Sequence, residues 1–221
     1  MSPVRRSPVA RVTVAAVVAC CLALAGCSDS TESEPPPTTA PATATSEAVD
    51  SGTTLEDVDT TALVVPRAPF CDRVDPAAVT RALGDEAADV SAYRSGQRIK
   101  ISDDVADVVH EYGCRWTAGD GTAEAWVFAP PVTRKRAAGL VASAQGSPKC
   151  LDSHDAPDFG RPSAACASRP SGEASAMTLQ GLFGDAWLTC SLTLDESQRE
   201  VDDRAMRWCA AVATGAASPA G

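Results

Sequence analysis

Two histidines and one cluster of acidic residues are where this chain's side chains come closest to forming a reactive site. His154 sits in Asp152-Ser153-His154-Asp155-Ala156-Pro157-Asp158, seven residues that concentrate side-chain oxygen and nitrogen. Four or more of these groups converging at defined geometry would hold a divalent cation. Pro157 and the neighbouring glycines describe a solvated acidic loop instead. No metal site is therefore assigned, and Asp152, His154, Asp155 and Asp158 are the residues to inspect. His110 follows Val108-Val109 and reads as a partly exposed structural residue. Nucleophilic catalysis needs a Ser or Cys, a base and an acid brought together. The chain has no G-x-S-x-G, H-E-x-x-H or S-x-x-K pattern and no phosphate-cradling glycine loop. Acid pairs such as Asp103-Asp104 and Asp202-Asp203 are inevitable among 29 acidic residues, and adjacent acids point apart. The sequence predicts neither an enzyme nor a cofactor.

Cysteine is the residue whose spacing says most. Leu24-Ala25-Gly26-Cys27 closes an apolar run from Val12 to Ala25, behind Arg5, Arg6 and Arg11. That order is the pattern of a lipoprotein signal peptide, in which the cysteine receives a thioether-linked diacylglycerol and the bond before it is cut. The run is too short to cross a hydrocarbon core, which takes ~20 residues. Residues 1–26 are thus expected to be a removed leader, carrying Cys20 and Cys21 with it. Cys27 becomes an acylated N-terminus on the outer side of a cell membrane, with two or more chains giving stable attachment. Six further cysteines remain: Cys71, Cys114, Cys150, Cys166, Cys190 and Cys209. An even number in an exported domain, without C-x-x-C pairs, reads as three disulfides rather than a metal centre.

The leader carries three of the chain's 19 basic residues and none of its acidic ones, so the exported part is more acidic than the formal −10 of the whole. Such a surface repels a phosphate backbone, which excludes nucleic acid as a partner. It also disfavours anionic lipid headgroups, leaving the acyl chains as the membrane contact.

The elements that position these residues follow from composition and period. Residues 27–66 read as the lipidated cysteine and a disordered linker with Pro35-Pro36-Pro37, eight acids and no base, extended by proline and like charge. Leu63-Val64-Val65 at its end reads as an edge strand or docking segment. A folded domain is expected over 67–214, with a disordered tail over 215–221. Asp75-Pro76 starts a helix that Gly84 ends. Strand character over Asp89 to Ile101, broken at Ser95-Gly96, precedes an alternating strand at Tyr112, Cys114 and Trp116. That strand turns at Gly119-Asp120-Gly121 into Thr122 to Ala129. Thr133 to Gln145 is a helix with Ala137, Leu140, Val141 and Ala144 inward. Ser147 to Gly172 reads as a long loop. A second hairpin, Ala174 to Phe183 and Ala186 to Leu194, leads to a last helix from Gln198 to Val212. The order predicts an α+β domain of two layers. A mostly antiparallel sheet of about five strands carries about three helices on one face, stapled by disulfides. Two hairpin-then-helix units in succession suggest a degenerate repeat.

Six cysteines allow 15 pairings, and the elements narrow them. Cys190 on its strand and Cys209 on the following helix return to the same level and both point between sheet and helix. Cys150 and Cys166 bracket the long loop, and Cys71 before the first helix is left for Cys114 on the strand beneath. Four tryptophans could stack on a ligand. Trp116, Trp126 and Trp208 fit core positions, whereas Trp187 shares its strand face with Thr189 and Ser191, making those three the candidate binding surface.

The chain resembles the actinobacterial lipoproteins that carry an exported domain of unknown function. The matching features are the Cys27 motif, the acidic Pro/Thr linker, Phe70-Cys71-Asp72 leading into Asp75-Pro76, and Ala82-Leu83-Gly84. The Cys114-Arg115-Trp116 strand, the Cys190 strand and the Cys209 helix complete them. The layout is also similar to extracellular sensor domains of mycobacterial receptor kinases. The resemblance implies a cell-surface lipoprotein and carries over no catalytic residue. The expectation is a monomeric, non-catalytic binding module, anchored in the membrane by its N-terminal lipid and meeting an envelope protein or wall component. Two alternatives stay open. An envelope hydrolase or carbohydrate-active enzyme requires a cleft with a desolvated carboxylate, and a lipid or glycolipid carrier requires an apolar cavity between sheet and helices.

Overall fold

The computed structural model describes residues 52–217, apart from 103–104, 152–155 and 171–173. Among the described residues the chain forms three α-helices and eight strands. Helix α1 (Pro76–Leu83) is capped by the Asp75 carboxylate, which accepts from the Ala77 N–H at 2.9 Å, and it ends on Gly84 with φ 82°. Helix α2 (Arg134–Gln145) starts on the Thr133 hydroxyl, which accepts from the Arg136 N–H. Helix α3 runs from Gln198 to Ala217.

The main sheet has six antiparallel strands in the order β1-β4-β5-β8-β7-β6. They are β1 (Asp89–Tyr93), β4 (Glu111–Ala118), β5 (Gly121–Phe128), β6 (Ser163–Ser168), β7 (Ser175–Phe183) and β8 (Ala186–Leu194). Between β1 and β4 the chain makes a separate ribbon of β2 (Arg98–Ser102) and β3 (Val105–Val108). The α+β class and the antiparallel sheet agree with the sequence; the strand count is higher. The extra strand in the main sheet is β6, inside the stretch that reads as loop. Its sequence, Ser-Ala-Ala-Cys-Ala-Ser, has little intrinsic strand preference. It is held as a strand by its register against β7, with Ala165 opposite Leu179 and Ala167 opposite Met177.

Alternation along the strands decides the two faces. On one face Cys114, Trp116, Ala123, Ala125, Val127, Leu179, Leu188, Cys190 and Leu192 meet Val79, Val201, Ala205, Trp208 and Val212 from α1 and α3. Trp116 and Trp208 stack edge to face at 5.2 Å between centroids, and the Trp208 indole N–H donates to the Ser191 carbonyl at 3.1 Å. Side chains fill this layer. Helix α2 does not join α1 and α3. It packs with Val132 over Leu182 and Trp187, whose register positions lie on the opposite face, and it lies against β6 and β7. The helices thus cover most of one side of the sheet, leaving Val90 at the β1 edge exposed, and part of the other. The two hairpin-then-helix units are not copies, because a rotation superposing β4-β5 on β7-β8 would leave both helices on one face.

The three disulfides join Cys71 to Cys114, Cys150 to Cys166 and Cys190 to Cys209, with Cα separations of 5.6, 5.1 and 5.7 Å. These are the pairs expected from the elements. Cys114, Ala125 and Cys190 are opposite one another across three strands, so two bridges leave the sheet on one cross-strand row, two strands apart.

Both domain boundaries need correction. Part of the expected linker is packed: Leu55, Thr60 and Val65 are each 2% exposed. The Thr60 hydroxyl donates to the Asp158 carbonyl at 2.8 Å and accepts from the Gly160 N–H at 3.1 Å. Val58 and Leu63 also pack on the core, so Leu63-Val64-Val65 is a docking segment and not a strand. The acid-rich composition hid a spaced apolar series that the domain uses. At the other end α3 continues to Ala217, with Gly215 and Ala216 buried where a tail was expected. The Arg73 guanidinium closes that end by donating to the carbonyls of Pro69, Gly215 and Ala216. Among the described residues no helix is long and apolar enough to cross a membrane.

Candidate functional site

The expected binding surface is buried. Trp187, Thr189 and Ser191 are 1, 2 and 9% exposed. Strand period placed Trp187 correctly on the face away from α3; nothing in its own pattern signals that α2 covers that end of the face. Thr189 is flanked in register by Trp126 and Gln180, and Ser191 exchanges a 3.0 Å hydrogen bond with Thr178. The aromatic that faces outward is Trp126, half-buried on β5, outside both apolar clusters. Its signal was present in the sequence: Ala123, Ala125 and Val127 alternate inward, which sends Thr122, Glu124, Trp126 and Phe128 to the other side.

The face left open by α2 is organised in cross-strand rows. One row reads Tyr93, Gly113, Trp126, Thr189 and Gln180 across β1, β4, β5, β8 and β7. Gly113 is what allows it. The Tyr93 ring lies over Gly113 so closely that a Cβ there would stand 2.2 Å from Tyr93 Cζ. The phenol thereby reaches Glu111 and donates to its carboxylate at 3.1 Å. In the neighbouring row Ser91, Arg115, Glu124, Ser191 and Thr178 follow one another, with the Arg115 guanidinium 2.6 Å from the Glu124 carboxylate.

Partial burial sets the electrostatics here. Desolvation pushes the Glu111 carboxyl above its ordinary range, the nearby Glu124 charge adds to that, and the Tyr93 hydrogen bond opposes it. The Tyr93 phenol is raised far above the ordinary tyrosine value, first by burial and then by the Glu111 charge. Tyr93 therefore stays a neutral donor at all physiological pH. The arrangement offers a flat aromatic edge, a hydroxyl donor, two carboxylates and a guanidinium within two strand rows. Such a set can hydrogen-bond a polyhydroxylated or mixed-charge surface while a ring packs against it.

The other candidates fall elsewhere. Asp152, His154 and Asp155 lie outside the described residues. The Asp158 carboxylate is taken by Arg161, and its carbonyl by Thr60. Among the described residues no three His, Cys, Asp or Glu groups are placed to hold a metal ion. His110 is exposed between β3 and β4, where its carbonyl accepts from the Ala129 N–H. Cys27 is likewise outside the described residues. No family model matches this chain, and no curated protein is similar to it.

Proposed function

We propose that the chain is a non-catalytic binding module, held by an acylated Cys27 on the outer side of the cell membrane. Its open sheet face receives an envelope protein or wall component. The observation that carries the binding reading is the Tyr93, Trp126, Glu111, Arg115 and Glu124 surface, which sits on a rigid sheet yet is left uncovered by α2. A rigid polar-aromatic surface binds with little ordering cost, since its side chains are already placed. The anchor rests on the Leu24 to Cys27 pattern behind its apolar run.

Photocrosslinking in intact cells tests the reading, with a photoreactive residue in place of Trp126 and a control at exposed Arg199 on α3. The expected outcome is one adduct from position 126, lost when Tyr93 and Arg115 are also replaced, and none from position 199. No adduct at 126, or the same adduct from both sites, overturns it. One observation favours a second reading, an envelope hydrolase: the desolvated Glu111 carboxyl resembles a tuned acid. Glu111→Gln separates the two: the amide oxygen still accepts from the Tyr93 hydroxyl, so binding is weakened but retained, whereas acid catalysis is abolished.

A further inference from the structure

The two edges of the main sheet are treated differently. At β6 the edge is closed: the Leu151 N–H donates to the Ala167 carbonyl at 2.7 Å, Cys150 is bonded to Cys166, and α2 packs against the strand. At β1 nothing comparable is present among the described residues. Strand β1 pairs only with β4, in uninterrupted register from Asp89 opposite Thr117 to Tyr93 opposite Gly113. Exposed edges are normally blunted by lysine, proline, a bulge or a covering segment. The sequence Asp-Val-Ser-Ala-Tyr has no lysine or proline, the ladder has no bulge, and Val90 is 57% exposed.

A groove of about 510 Å³ runs beside this edge, between β1 and α1. Val74, Val79, Ala87, Val90 and Trp116 give it an apolar floor. Its charged lining is Asp72 and Glu86, with no basic side chain. Asp85 and Asp89, both exposed, extend the negative rim toward the strand.

We infer that β1 is a strand-addition site for an extended segment of a partner protein in which apolar residues alternate with basic ones. Successive side chains of an added strand point to opposite faces. One set would enter the groove between β1 and α1 and meet Val90 and Trp116. The basic set would lie beside Ser91 and Tyr93, at the margin of the open sheet face, where Asp89 is on the same side of β1 and Arg115 is already paired with Glu124. The carboxylates choose the sign of the partner, because a second acidic strand would be repelled. They also disfavour a second copy of this chain, which would bring its own Asp72, Asp85, Glu86 and Asp89 to the same edge.

The probe is a synthetic peptide alternating valine and lysine, compared with one alternating valine and glutamate, titrated into the full chain. The expected result is binding of the first alone, with new protection from hydrogen exchange at the amides of residues 89–93. Val90→Ser and Glu86→Lys should each weaken it by about tenfold without lowering the melting temperature, since both positions are exposed. Protection confined to other strands, equal binding of both peptides, or unchanged affinity in both variants overturns the inference. Protection of residues 89–93 without peptide, in a protein that sediments as a dimer, overturns it too by assigning the edge to a second copy.

Discussion

Gly113 and Gly181 have no side chain because another group occupies the place where one would be. At Gly181 a Cβ would meet the Phe159 carbonyl oxygen at 1.6 Å, a backbone group that cannot swing aside. Gly181→Ala is expected to destabilise the domain by about 2–4 kcal/mol through overpacking and backbone shift, read as a drop in the urea midpoint. Gly113→Ala meets only the far end of Tyr93, so the ring is displaced and the fold kept; the expected outcome is loss of the Tyr93–Glu111 hydrogen bond and weaker binding at near-native stability. Glu111 adds a pH signature. Its folded-state carboxyl is raised, so it favours the folded state below the ordinary glutamate range, and that contribution fades as pH rises through the ordinary value of 4.5 and then the folded one. Glu111→Gln should therefore raise the melting temperature relative to the parent at pH 7, with the gap closing by about pH 4. A gap constant across that span would mean that desolvation of Glu111 is not felt. At this scale the sequence was legible where a residue's own pattern decided its place. Trp187 was correctly assigned its strand face by alternation, whereas Trp126 was placed in the core although the inward alternation of Ala123, Ala125 and Val127 sends it to that same face. Which end of that face a helix would cover depended on contacts across the chain, so Trp187 is buried under α2 and Trp126 is not.

Among the elements, those with start and stop signals in their own residues were read correctly. Asp75-Pro76 and Gly84 bound α1, and Thr133 and Gly146 bound α2. Strand β6 and the docked segment around Leu55, Thr60 and Val65 lack such signals, since their order comes from β7 and from the Asp158 to Gly160 turn. Limited proteolysis should consequently spare residues 55–65 for as long as the rest of the domain; rapid cleavage there would contradict the packing seen. Trp208 carries the α3 interface through its ring contact with Trp116 and its hydrogen bond to Ser191. Trp208→Ala should cost about 3–5 kcal/mol, checked by chemical denaturation.

For the whole molecule, composition and the cysteine count told most: an acidic α+β domain with three covalent closures. The Cys190–Cys209 pair could be reasoned out because both cysteines belonged to elements of known direction; Cys150–Cys166 followed from closing the loop and Cys71–Cys114 from what remained. The Cys71–Cys114 bridge spans 43 positions and should contribute about 4 kcal/mol if loop entropy dominates, measurable by replacing both cysteines with serine. The same bridge has a mechanical consequence. Tension arriving at the N-terminal end of the domain can peel the chain away only as far as Cys71, where the load crosses the sulfur bridge into β4. Everything enclosed between the two cysteines, including α1, the open edge β1, Tyr93 and Glu111, is shunted out of the force path. A partner seated on that edge would ride on a part of the protein that a pull on the N-terminal end of the domain does not stretch.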